Sequence, residues 1–518
     1  NFGAAPEDLI VASQRNLLDA VHVLSYRISA MGLEPELIRS HPELEDHASP
    51  FIMQNIELGA FLSDFDKEEV DAKHILVMLD QCREVIAKIR RNISQTGTSI
   101  RLTFILQRVT QQIGRLEVLL DLISDLWAGR NADLAFVQLF KDLVYGECHK
   151  NDTRQHWQGN IELLALRVTE NASRTGEHYI TETRSQYFEL LRSAMGAGFL
   201  ITVMAMIKVV LARQHYAPLT EAILFSLNYG IGFVIIHVLH GTVATKQPAM
   251  TANSIAISID GSDGKTREMD NLVTIIAQMM RSQLIAILGN VIIVIPFAML
   301  LCGIFFGLSG HHFVTPQKAW HMLAEVDPLR SGSVIYAGIA GVCLFLSGLI
   351  AGYHDNLAMY NKIPQRLRAL GWLRKLLGRE RTDRMADYIR NNLGALAGNF
   401  YFGCLLGGMS GLGVLLGLPI DIRHITFSSA FVGFSLVGLD FAISPAVLWM
   451  TALGIALIGL MNLSVSFSLA LYVAMKSRKV SFRQWRQLVA TLFRRIYARP
   501  REFCLPPSKH ALESGGEH

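Results

Sequence analysis

LIAILGNVIIVIPFAMLLCGIFFGL, residues 284–308, runs for 25 positions without an Asp, Glu, Lys or Arg. About 20 apolar residues suffice for a helix to cross the hydrocarbon core of a bilayer. In lipid a segment must satisfy its own backbone hydrogen bonds, so the run reads as a spanning helix. Pro296 inside it removes one backbone donor and predicts a kink. Four more runs meet the same test, Ala194–Ala212, Leu219–Gly241, Ser333–Gly352 and Leu396–Leu418, and Val447–Val473 is a long, unbroken sixth. Ile425–Ser444 is shorter, dotted with Ser and Gly, carries Asp440 near its end and is followed by Pro445. It reads as re-entrant or half-inserted, with a seventh span as the alternative.

Charge gives the orientation. Nine Lys and Arg lie between Lys362 and Arg390, and ten between Lys476 and Lys509. The alternate loops hold only Arg213, then Lys318 and Arg330, then Arg423. The positive-inside rule places the two basic regions in the cytoplasm. An even number of crossings then puts both termini there too, which favours six spans over seven. Residues 363–377 and 482–497 each set apolar side chains on one helical face beside Arg and Lys, the pattern of helices lying in an anionic headgroup layer.

Upstream of residue 190 the chain changes character. Ile75, Leu79, Cys82, Ile86, Ile89 and Ile93 step by four and three, as do Leu102, Leu106, Val109, Ile113, Leu116, Leu120, Ile123 and Trp127. Each set forms one helical stripe, and the short Ser94–Thr98 link predicts an antiparallel hairpin. Further helices are expected at about 6–31, 131–149 and 153–174. The fold class is therefore all-α: a cytoplasmic helical bundle (1–190), a polytopic membrane domain (191–475) and a basic amphipathic cytoplasmic tail (476–518). The 518-residue averages, 51% hydrophobic, 18% charged, mean hydropathy +0.30 and net charge +4, blend these regimes and exclude a purely soluble enzyme or a disordered chain. The six cysteines form no CxxC, which fits a reducing compartment. The chain opens on Asn1 without a basic-then-apolar leader, so the expectation is a fragment without a signal peptide.

Polar side chains at membrane depth are costly and therefore functional candidates. Asn228, His237, Asn290, Asn399 and Asn462 qualify, with Ser464, Ser466 and Ser468, whereas Lys208 lies near a span end and is expected to snorkel. His237 and His240 lie three apart on one helix, but no third metal ligand accompanies them, and interhelical hydrogen bonding is the expectation. Gly403, Gly407 and Gly411 step by four, as Gly303/Gly307 and Gly348/Gly352 do once, so close helix contacts are expected. Asp421 and Arg423 suit an ion pair in an outward-facing turn, where His424 is placed to titrate near neutral pH. Between the second and third spans Thr245, Lys246, Gln247 and Pro248 join a cation to a rigid proline that should end the second span. Gly264-Lys265-Thr266 lacks the earlier glycine of a phosphate loop, since position 259 is Ile259. No hydrolase, NTPase or metal motif occurs, and no cofactor is expected.

Four segments carry a resemblance: TVATKQPAMTA (242–252), EHYITETR (177–184), SLNYGIGFV (226–234) and LPIDIRHITFS (418–428). Over about 70–475 the chain resembles the bacterial membrane proteins named site-specific recombinases (Gcr-like). That resemblance implies a polytopic inner-membrane protein and, by the family's name, DNA recombination. It supplies no catalytic residue to place on this chain. The residues themselves show no histidine with Arg three positions on, which a tyrosine recombinase pocket uses to hold the phosphate. The leading expectation is therefore a bacterial inner-membrane protein that moves or binds a lipid or small solute. The alternatives are a membrane-anchored scaffold acting through its bundle and the recombinase of the name. Expected partners are anionic lipid headgroups and a protein partner or second copy at 66–128, with nucleic acid disfavoured.

Overall fold

The computed structural model of the chain describes residues 7–45, 49–63, 73–96, 99–127, 133–149, 181, 183–244, 266–477 and 482–507, and among them no strand occurs. The chain divides into two compact units, Asn1–Asn160 and Ile161–His518.

The first unit holds α1 (Glu7–Gly32), α2 (Pro35–Ser40), α3 (Pro50–Ser63), α4 (Lys73–Thr96), α5 (Ile100–Trp127) and α6 (Asp133–His149). The stripes of α4 and α5 are buried wherever their side chains are described, from Ile75 to Ile89 and from Leu102 to Ile123. The two helices are tied by the Arg83–Glu117 ion pair, but α4 packs chiefly on α3 and α5 on α1. Arg90 also reaches Thr110 Oγ1 at 3.5 Å, so α4 and α5 run antiparallel as the expected hairpin, and α1 and α3 complete it into a bundle. In it, Gln54 donates to the Ser25 carbonyl at 3.0 Å and Ser29 Oγ donates to Phe51 O at 2.6 Å. The helix expected at 153–174 lies outside the described residues.

The second unit contains α7 (Arg184–Ala212), α8 (Pro218–Val238), α9 (Thr266–Ser309), α10 (Pro316–Ala324), α11 (Ser333–Tyr360), α12 (Ile363–Ala369), α13 (Gly371–Leu377), α14 (Arg379–Leu416), α15 (Ile425–Gly438), α16 (Pro445–Ser477), α17 (Phe482–Ala498) and α18 (Arg501–Cys504). Among the described residues six helices are long and apolar enough to cross a membrane: α7, α8, α9 from Val273, α11, α14, and α16 as far as Val473. At about 1.5 Å per residue, the 14-residue α15 is about 21 Å long, well short of a bilayer core of about 30 Å. It is walled in by α9, α7, α10 and α16, so the described residues hold six helices of spanning length and one short inner helix.

Small residues set the packing. An added Cβ on Gly403, Gly407 or Gly411 would run into Tyr229–Gly230, Phe225–Ser226 and Ala222 respectively, so α14 and α8 lie antiparallel with their backbones almost touching. Gly394 and Gly398 do the same for α14 against Asp355 and Ser347–Ala351 of α11. Gly303 and Gly307 differ from expectation: nothing lies within 4 Å of a Cβ there, so that pair mediates no helix contact in this chain. The second span also ends sooner than Pro248 implied. Helix α8 stops at Val238, and His240 turns the chain with a left-handed φ of 57°. Helix α9 continues through Pro296.

At the other end of the unit, Arg495 of α17 bonds Thr274 of α9 at 2.9 Å and Glu502 at 2.9 Å. Burial pushes the Glu502 carboxyl up, but hydrogen bonds from Arg495 and Arg499 outweigh it and hold the group below its ordinary range.

Candidate functional site

Two stretches of irregular backbone enter the bundle, and each is satisfied by one buried asparagine. After α8 the chain folds back beside α7, where Thr242 N donates to Ser193 O at 3.3 Å. Asn290 of α9 donates to Ala194 O and Thr242 O, both at 3.0 Å, and accepts from Ala244 N at 3.4 Å. Ser193 Oγ completes the turn by donating to His240 O at 2.7 Å. After α14 the chain dips through Leu418–His424 into α15. There Asn462 of α16 donates to Ala337 O at 2.8 Å and Arg423 O at 3.0 Å, and accepts from Ile425 N at 3.0 Å. Non-helical backbone at membrane depth survives only where protein or a water-filled cavity supplies partners, and these two side chains supply them.

The two stretches meet at His424. Its ring shares a hydrogen bond with Thr426 Oγ1 at 2.8 Å and another with the Ala244 backbone. Phe402 and Phe427 flank it, and it is only 3% exposed. His424 therefore does not face outward in a turn. The strand-like approach to α15 turns it into the core while its neighbours Asp421 and Arg423 face the other way.

Those neighbours line a cavity of about 640 Å³ bounded by the ends of α7 and α14, the start of α8, α10 and the Asp421–Arg423 turn. Arg423 pairs with Asp421 at 2.6 Å and with Glu325 at 3.4 Å. Asp421 also accepts from Ser410 Oγ at 2.6 Å and from Ile422 N at 2.8 Å, and Glu325 holds His321 at 3.2 Å. Lys208 overturns the snorkelling expectation. Its ammonium turns into the bundle, 5.2 Å from the Phe225 ring centroid, 5.6 Å from Tyr229 and 5.8 Å from Phe431. Arg213 lies 4.7 Å over the Phe313 ring at the same cavity. The non-glycine residue His215, in the wall between α7 and α8, holds a left-handed φ of 50°.

The remaining candidates are structural ties. Asn228 donates to Met204 O at 2.9 Å, joining α8 to α7. His237 Nε2 meets Asn392 Oδ1 at 3.2 Å, joining α8 to α14. His240 serves through its carbonyl, and Asn399 donates within its own helix to Ala395 O at 2.7 Å. Among the described residues no group of three His, Cys, Asp or Glu could hold a metal ion. Thr245, Lys246, Gln247 and Pro248 lie outside the described residues. Sequence reasoning left out Lys208, Glu221, Glu325 and Ser410 as site residues. The only signal for Lys208, Glu221 and Glu325 was opposite charge at the same-side ends of different spans, and Ser410 carried none.

A bundle of six membrane-length helices around a broken centre defines a polytopic helical membrane protein. The chain belongs to the site-specific recombinase family, whose model matches residues 3–506. No curated protein and no solved structure matches the chain.

Proposed function

We propose that this protein binds, and through alternating exposure moves, a small solute or lipid headgroup held in its membrane domain. The observation that carries the reading is the charged cavity of about 640 Å³ between span ends, a size within the usual ligand-pocket range of about 300–1,000 Å³. Its floor adjoins the broken segment that leads to His424. Discontinuous segments meeting inside a bundle are where secondary transporters build their sites. In this reading the basic region between Lys362 and Arg390 and the tail face the cytoplasm of a bacterial inner membrane. The cavity then opens on the opposite side, and the 363–377 and 482–497 segments rest on anionic headgroups.

Native mass spectrometry of the full chain released from lipid nanodiscs tests it. A bound small molecule or lipid should survive on the wild-type protein and be lost when Ala212→Trp fills the cavity. A wild-type chain that carries nothing, and is unchanged by the filling variant, counts against the reading. The family's description points to DNA recombination instead. Cutting of a defined duplex by the same preparation, abolished by replacing one Tyr or Ser, would replace it.

A further inference from the structure

We propose that the cavity selects an amphiphilic anion, a phosphate or carboxylate borne on an apolar body, with Lys208 as its charge partner. The inference rests on the ligand-binding reading above and adds the class of ligand.

Most of the cavity's carboxylate charge is already spent. Asp421 and Glu325 share Arg423, and their remaining oxygens are taken by Ser410, the Ile422 amide and His321. That leaves Lys208, Arg213 and Lys318 on the cavity wall, none with an ion-pair or hydrogen-bond partner among the described residues, against one uncommitted carboxylate, Glu221. Over the whole wall, four cations (Lys208, Arg213, Lys318 and Arg423) face three carboxylates (Glu221, Glu325 and Asp421), which leaves one net positive charge to attract an anion. Lys208 is the decisive member. Three aromatic faces hold its ammonium, yet a ring face accepts none of its three N–H bonds well, so the ammonium keeps donors to offer.

Backbone geometry adds to this. Helices α8 and α10 both begin at the cavity, at Pro218 and at Pro316 behind the Thr315 cap. Helix N-termini carry positive partial charge. The apolar body follows from the rest of the wall. Val209, Ala212, Val314, Met322 and Val414 line it, and a bare oxyanion would leave these surfaces unused.

Two sources carry this chemistry, an anionic membrane lipid and a soluble organic phosphate, and the probes separate them. Equilibrium binding to the full chain in neutral maltoside micelles is measured for dihexanoylphosphatidylglycerol, phenyl phosphate and the net-neutral dihexanoylphosphatidylcholine. At least one of the two anions should bind tenfold or more tighter than the phosphatidylcholine, and the tighter anion names the source. Lys208→Met should weaken that anion at least tenfold, and Lys208→Arg should restore part of the loss. Arg213→Gln alters an exposed side chain, so it supplies a second loss that does not depend on how Lys208→Met folds. Equal binding of all three probes, unchanged in both charge-removing variants, overturns anion selection while leaving a ligand cavity in place. If no probe binds and none protects Ala212→Cys from maleimide, the ligand-binding reading falls as well.

Discussion

Replacing Gly407 by Ala probes the closest helix contact in the membrane domain. The added Cβ would lie 2.6 Å from Phe225 O and closer still to the Phe225 carbonyl carbon and the Ser226 nitrogen. Ordinary contact begins at 3.4 Å, and backbone cannot rotate away as a side chain can. Helices α8 and α14 must therefore part by roughly 1 Å along this stretch. A gap of that size forfeits about a quarter to a half of each dispersion well of about 0.1–0.2 kcal/mol. Over the few tens of atom pairs along the interface that amounts to roughly 1–3 kcal/mol. The Ser226 Oγ donation to Cys404 O, now 3.1 Å, stretches as well, at about 0.6 kcal/mol for an interhelical bond in lipid. Against this, Ala gains about 1 kcal/mol over Gly in helix propensity. The net expectation is a loss of about 0.6–2.6 kcal/mol. Gly303→Ala is the internal control: with nothing within 4 Å of its Cβ, it keeps the propensity gain alone. Unfolding in mixed micelles, followed by circular dichroism as the sodium dodecyl sulfate fraction rises, measures both. If Gly407→Ala is as stable as Gly303→Ala, the close approach of α8 and α14 is refuted.

Asn462→Leu removes two donations and one acceptance, so the same titration should show a loss of roughly 2 kcal/mol or more, at about 0.6–1 kcal/mol per bond. Asn228→Leu, which gives up one bond to a carbonyl already inside a helix, should cost well under half as much; equal losses would mean that Asn462 has no special role at the start of α15. Glu502 is held below its ordinary pKa of 4.5. Its folded form thus binds fewer protons than the unfolded form, and its contribution is full above the unfolded value and lost as pH falls through the folded one. Amide protection over 495–504, relative to the intrinsic exchange rate at each pH, should fall on acidification in wild type but not in Glu502→Gln, and an identical acid response in both would remove Glu502 as the clasp. Burial pushes the Cys82 thiol up to about 12, so at pH 8 it should alkylate far more slowly than exposed Cys148. Comparable rates in the native protein would show that the α4 stripe is not packed.

What was legible in the sequence was whatever a single helix carries by itself. The hydrocarbon thickness sets the length of each span, so six runs stood out, whereas the Ser- and Gly-dotted 425–444 stretch stayed ambiguous until its helix proved to be 14 residues long. The Gly403–Gly411 step could be read because a period of four is local to one helix. What was illegible depends on who sits opposite. Gly303 and Gly307 have the same step and meet nothing. Lys208 looked like a snorkelling residue because its position near a span end is local, whereas Phe225, Tyr229 and Phe431 come from two other helices. Asn290 and Asn462 were visible as costly, but their partners were not, because those partners are backbone groups of segments that carry no motif. In the first unit the α4–α5 hairpin was legible from its heptads, whereas α3, which packs on α4, has an apolar pattern over only 14 residues, too few turns to announce it.

The placement of the two asparagines bears on why the bundle is broken at all. Six continuous helices would leave no backbone group unsatisfied and would need neither side chain. This chain instead interrupts its centre twice and assigns a fully buried amide to each interruption. Each amide must be desolvated and oriented, a cost that a purely anchoring bundle would not incur. The interruptions are also not scattered. One leads from α8 back into the core, the other from the charged cavity down to α15, and they touch through His424 and the Ala244 backbone. A ligand whose charge rests against Lys208 would lie beside the Asp421–Arg423 turn, one residue from that contact. In the proposed reading, movement of the turn on binding would reach Ala244 through His424, which contacts Phe402 and Phe427 edge-on. The His424–Ala244 contact is, in the same reading, the route by which occupancy at one end of the bundle would reach the backbone entering from the other.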